Sequence, residues 1–93
     1  SWVIHTTKEE NGWFDPLDPP RGVWSIKDLT ALLGLDLKVV PLKGKWEGEV
    51  LVHQPSNQGY RNGLAMRLAR ESLGSSPVLR GKVLMTIGEL IQY

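Results

Sequence analysis

The sequence predicts an α+β domain of order β-α-β-β-α-β, the split-βαβ or ferredoxin-like sandwich. That fold has a four-stranded antiparallel sheet with two helices on one face. Three observations lead there. Segments 25–34 and 63–73 carry apolar residues at helical spacing and have capping residues at their ends. Segments 2–7, 35–40, 46–53 and 78–87 alternate or run apolar, with many β-branched residues. The two β-rich segments between the helices are joined by the short "PLKGK", which suits a hairpin.

"WVIHTT" (2–7) alternates and forms the first predicted strand. Residues 8–23 hold Pro16, Pro19 and Pro20, which exclude a regular helix or a central strand, so a loop is expected there. "SIKDLTALLG" (25–34) is a helix: Ser25 is a natural N-cap, Asp28 stands three residues on, and Ile26, Leu29, Leu32 and Leu33 share a face. Gly34 suits its C-terminal stop. "LDLKVV" (35–40) and "WEGEVLVH" (46–53) are the hairpin strands, the second with Trp46, Val50 and Val52 on its core face. "GLAMRLARESL" (63–73) is a helix between Asn62 and Gly74. "VLRGKVLMTI" (78–87) is the last predicted strand. Residues 88–93 fit either a helix, with Thr86 and Glu89 at capping-box spacing, or a continued strand.

Ninety-three residues suffice for one core and one domain. The 41% hydrophobic content is that of a globular chain, and no apolar run approaches the ~20 residues of a membrane span. No membrane partner is therefore expected. The start at Ser1-Trp2 without Met and the apolar end suggest a domain excised from a longer chain. Eleven Lys and Arg against ten Asp and Glu leave a net charge of +1, which demands no anionic partner. With no cysteine, disulfides, thiol catalysis and thiolate metal sites are excluded. An intracellular setting, cytoplasmic or nuclear, is the expectation from that and from the lack of a signal-peptide pattern. The tryptophans stand at 2, 13, 24 and 46, but their flanks differ, so they mark no repeat.

No catalytic constellation is readable, and neither an enzyme nor a cofactor is expected. Ser56 has no base or oxyanion hole to go with it, and "GYRNG" is a turn rather than a phosphate cradle. His5 and His53, with Glu47 or Glu49, have the chemistry of metal ligands but no ligand spacing, so no metal site is expected. "SIKDLTALLGLD" begins like a helix-turn-helix, yet a β-rich segment with Pro41 stands where the reading helix belongs.

The leading expectation is a non-catalytic interaction module that binds another protein or another part of its own chain. Trp13, Phe14 and Leu17 in the Pro-rich loop, and Leu51 on the open sheet face, are its candidate contacts. Within the loop, Trp13 is expected to fold back as cover for the core, with Phe14 the more exposed. The alternative is a nucleic-acid-binding domain. Its candidates are the basic turns, Lys43 with Lys45 and Arg80 with Lys82, and the neighbourhood of the second helix, Arg61, Arg67 and Arg70. Base stacking on the open sheet face, as in RNA-recognition motifs, is disfavoured because Glu47 and Glu49 stand where aromatics are needed.

Overall fold

The computed structural model describes residues 1–92; Tyr93, the last of the segment 88–93, lies outside the described residues. Its elements are β1 (Trp2–His5), β2 (Trp13–Pro16), β3 (Trp24–Ser25), α1 (Ile26–Leu33), β4 (Lys38–Pro41), β5 (Glu49–His53), α2 (Gly63–Leu73), β6 (Val83–Ile87) and β7 (Ile91–Gln92). Short 3₁₀ turns at Gly44–Trp46 and Gly88–Leu90 precede β5 and β7.

Both helices start where their caps put them. The Ser25 hydroxyl accepts from the Asp28 N–H at 3.1 Å, and the Asp28 carboxylate accepts from the Ser25 N–H at 3.2 Å, a complete capping box. Hydrogen bonding of the Asp28 carboxylate to the Ser25 hydroxyl, and then to the Ser25 N–H, holds its pKa below the ordinary value. Gly34 ends α1 at φ 104 with an extended ψ, not in the left-handed well. Gly74 ends α2 in the left-handed well.

The ferredoxin-like topology is overturned. The main sheet has five antiparallel strands in the order β2-β1-β6-β5-β4, and a separate parallel pair joins β3 to β7. Three features separate it from the expected sandwich. First, β2 lies inside the segment read as loop: "WFDP" pairs with β1, Trp13 opposite His5 and Pro16 opposite Trp2. Pro16 is compatible with this because β2 is an edge strand. Second, β6 is inserted between β1 and β5, so the strand at 46–53 pairs with β4 and β6 but not with β1. Third, the helices cover opposite faces. Ile4, Leu51, Val83 and Met85 pack with Ala65, Met66, Leu68 and Ala69 of α2. Their chain neighbours Val3, Val52 and Leu84 pack with Leu29 and Leu33 of α1, together with Trp24 and Ile91.

The physical reason lies in β5 and β6. "VLV" and "VLM" are apolar on both faces, and a strand of that kind has to be covered twice. Val50 to His53 and Val83 to Thr86 are all buried. No open sheet face remains for Leu51, which is fully buried on the α2 side. Strand bounds shift as well: Leu35 to Leu37 precede β4, and Trp46 belongs to a 3₁₀ turn.

Two polar groups tie the layers together. Trp24, 2% exposed, donates its indole N–H to the Ser1 hydroxyl at 3.2 Å, which is bonded in turn to the buried Thr86 hydroxyl at 2.7 Å. Asn62 is fully buried and caps α2 by accepting from the Ala65 N–H at 3.0 Å. Its side-chain amide donates at 2.8 Å to the carbonyls of Ile4 and Gly81. One side chain thus joins α2, β1 and the segment entering β6.

Candidate docking surface

α2 does not reach the end of the sheet where β1 begins and β2 ends. There Trp2 and Phe14 stand on the α2 side, edge to face, with ring centroids 6.3 Å apart at 82°. Met85, on the neighbouring β6, completes an open groove of about 250 Å³. Phe14 also borders a second hollow, with Trp46, Leu64 and Leu68 and with Arg67 and Glu71 at its rim. Lys45 lies over the Trp46 ring, 4.3 Å from its centroid. Leu17, directly after β2, is exposed but faces the α1 side, where it borders a hollow with Trp24, Ala31 and Leu32. The result is an apolar ridge along the sheet edge with charged residues beside it.

On the opposite side of β2, Trp13 stacks flat on His5 at 4.8 Å, and His5 Nε2 lies 3.3 Å from the Asp15 carboxylate. Trp13 is 51% exposed and Phe14 41%, the reverse of the expected order. The reason is that the segment folds back as an edge strand, not as a cap over the core. Both rings flank the sheet rim instead of filling it.

The backbone of β2 is less inviting than its side chains. The Leu17 N–H donates to the Ser1 carbonyl at 2.9 Å, which fixes the alternation of the ladder. Trp13 and Asp15 then turn their polar groups toward β1, and Phe14 and Pro16 turn theirs outward. Pro16 has no N–H, so the outer edge is poorly equipped to accept another strand.

Of the four contacts expected from the sequence, Phe14 lines the groove, Trp13 and Leu17 are exposed on the other face and Leu51 is buried, while Trp2 and Met85, which also line the groove, were read only as strand residues. The hairpin turn itself carried no local signal: it falls at Thr7–Glu10, closed by the Glu10 N–H to the Thr7 carbonyl at 2.9 Å, with Glu10 rather than a glycine or asparagine at φ 60.

The seven basic candidates do not share one surface. Arg61 and Arg80 face each other across an isolated antiparallel bridge beside the start of α2. Lys82 is exposed close by, after Gly81. Lys43 is held at the other end of α2, where its N–H donates to the Ser72 hydroxyl at 2.6 Å. About 15 Å of helix separates the two groups, at 1.5 Å per residue. Lys45 leans on Trp46, Arg67 borders the Phe14 hollow, and Arg70 lies exposed on α2.

Among the described residues, no three His, Asp or Glu side chains are gathered as metal ligands. His5 and His53 lie on strands separated by β6. His53 is buried opposite Lys38, and its Nδ1 has no hydrogen-bond partner. Burial, with a lesser push from the Lys38 charge, holds this imidazole below its ordinary pKa of 6.5. The unfolded chain therefore takes up the proton first. Stability should be level above about pH 6.5 and fall as pH drops below it, while His53→Gln, which cannot take that proton, flattens the slope. Urea midpoints measured from pH 8 to pH 5 test this, and an equal slope in the variant would rule out His53 as the source.

No protein-family model, curated protein or solved structure matches the chain. No helix among the described residues is long and apolar enough to cross a membrane.

Proposed function

We propose that the chain is a non-catalytic interaction module. It docks an apolar segment of a partner protein, or of its own parent chain, along the ridge formed by Trp2, Phe14 and Met85. The observation that carries this reading is the uncovered end of the sheet, where two large aromatics meet over a groove. Contiguous exposed apolar surface of this kind marks interaction sites, and aromatics dominate their energetics. Trp13 and Leu17 are exposed on the other face of the same edge strand and stand apart from this groove. Pro16 favours recognition through side chains over the addition of a strand. The absence of cysteine suits a reducing compartment, cytoplasm or nucleus.

Selection of a displayed peptide library against the domain tests the reading. Enriched peptides should be apolar and shift the NMR signals of Trp2, Phe14 and Met85. Phe14→Ser should weaken them about thirtyfold, the effect of losing a hot spot of ~2 kcal/mol, with the fold intact. Peptides that map to another surface, or that bind Phe14→Ser unchanged, would overturn it.

A further inference from the structure

A second site, independent of the aromatic ridge, lies at the start of α2. Three segments converge there on a cleft of about 340 Å³: the β1–β2 loop with Lys8 and Glu10, the segment with Gln58 to Arg61, and the segment with Arg80. Their backbones are firmly tied. The Thr6 hydroxyl donates to the Arg61 carbonyl at 2.7 Å, the Gly81 N–H to the Tyr60 carbonyl at 2.8 Å, and the Asn62 N–H to the Leu79 carbonyl at 2.7 Å. Gly81 has φ +68, and a Cβ there would run into the Asn57 side chain, so this turn is made for glycine.

The tied backbones set Arg61 directly opposite Arg80. Like charges in that position repel, and the pairing costs stability unless an anion lies between or beside them. Among the described residues the one carboxylate paired with either is Glu10, whose Oε1 lies 3.6 Å from Arg61 Nε. Arg80 donates only to the Gly59 carbonyl, at 3.3 Å. Lys8 adds a third positive charge to the rim. Glu10 itself holds φ 60, a left-handed conformation that is uncommon outside glycine, asparagine and aspartate. A carboxylate is thus parked at the edge of a cleft that has more positive than negative charge. Tyr60 stands beside it, 56% exposed, with its ring open to a planar partner.

We propose that this cleft binds a phosphoryl group carried next to an aromatic base: a nucleotide, either free or within a single strand. Arg61, Arg80 and Lys8 hold the phosphoryl oxygens, and Tyr60 stacks on the base. Glu10 competes with the ligand for Arg61, so the site is weaker than its cations alone would make it.

NMR titration of the domain with inorganic phosphate, AMP and a short oligoadenylate tests this. Phosphate should shift the Arg61 and Arg80 side-chain N–H signals. AMP should also shift the Tyr60 ring and bind about tenfold more tightly than phosphate. Tyr60→Ala should remove that difference, and Arg80→Gln should weaken both ligands. Glu10→Gln should tighten all three, a gain that general damage to the fold would not produce. An oligoadenylate that binds more tightly than AMP, with a steep loss in salt, identifies a strand as the source; equal affinity identifies the free nucleotide. The proposal fails if phosphate and AMP leave Arg61 and Arg80 unshifted, if Glu10→Gln fails to tighten binding, or if the shifts fall on Lys43 and Arg70 instead.

Discussion

Asn62→Ala should destabilise the domain by about 3–5 kcal/mol, among the larger effects of any single substitution here. Loss of the N-cap of α2 accounts for ~1 kcal/mol. The remainder comes from the Ile4 and Gly81 carbonyls, which lose a donor in surroundings where the Asn62 side chain excludes water. A buried carbonyl such as that of Ile4 costs ~1–3 kcal/mol when left without a partner, and the part-buried one of Gly81 costs less. Asn62→Asp separates the contributions. It keeps an acceptor for the Ala65 N–H but offers no donor, and it points a carboxylate at two carbonyls. It should therefore cost at least as much as Ala. Urea unfolding of both variants is the measurement, and a cost under about 1 kcal/mol for Asn62→Asp would show that the cap alone matters.

Trp24→Ala should cost a similar amount, about 3–5 kcal/mol, as for other buried aromatics. Trp24 fills the α1 side of the sheet beside Leu29, Leu33 and Ile91, and its indole N–H holds Ser1 against Thr86. Trp13→Ala should cost below about 1 kcal/mol, in keeping with a half-exposed ring stacked on a surface histidine. Two tryptophans 11 residues apart thus differ severalfold in their contribution. Paired urea midpoints decide it. Equal losses would mean that the β1–β2 hairpin is a structural part of the core and not a rim.

Those two tryptophans also show what the sequence made legible. The helices could be read because their signals are local: Ser25 with Asp28, Asn62, Gly74, and apolar residues three and four apart. The sheet order could not, because it depends on which strand tolerates cover on both faces. In "EVLVH" the alternating pattern and the continuous apolar pattern overlap, and reading it as alternating left Leu51 on an open face. The sequence after Asn11 held both an edge strand and a loop, and three prolines pointed only to the loop. Of the candidate groove, Phe14 was legible as an aromatic in a polar context, and Trp13 and Leu17, legible in the same way, stand on the other face. Trp2 and Met85 joined Phe14 only through strand pairing across more than 80 residues, which no local pattern encodes.

The position of β6 also bears on how the chain is made. It is the middle strand of five, yet it is among the last parts of the domain to be synthesised. Until residues 83–87 are available, the β1–β2 and β4–β5 hairpins have no common neighbour, and "VLV" of β5 lacks an inner partner. Closing so long a loop between Val3 and Leu84 is entropically slow, and the waiting hairpins are exposed meanwhile. Cooperative folding of this domain therefore waits until almost all of it has been synthesised. A ribosome-bound chain stalled before β6 emerges should be protease-sensitive throughout, while one stalled well beyond β7 should be resistant.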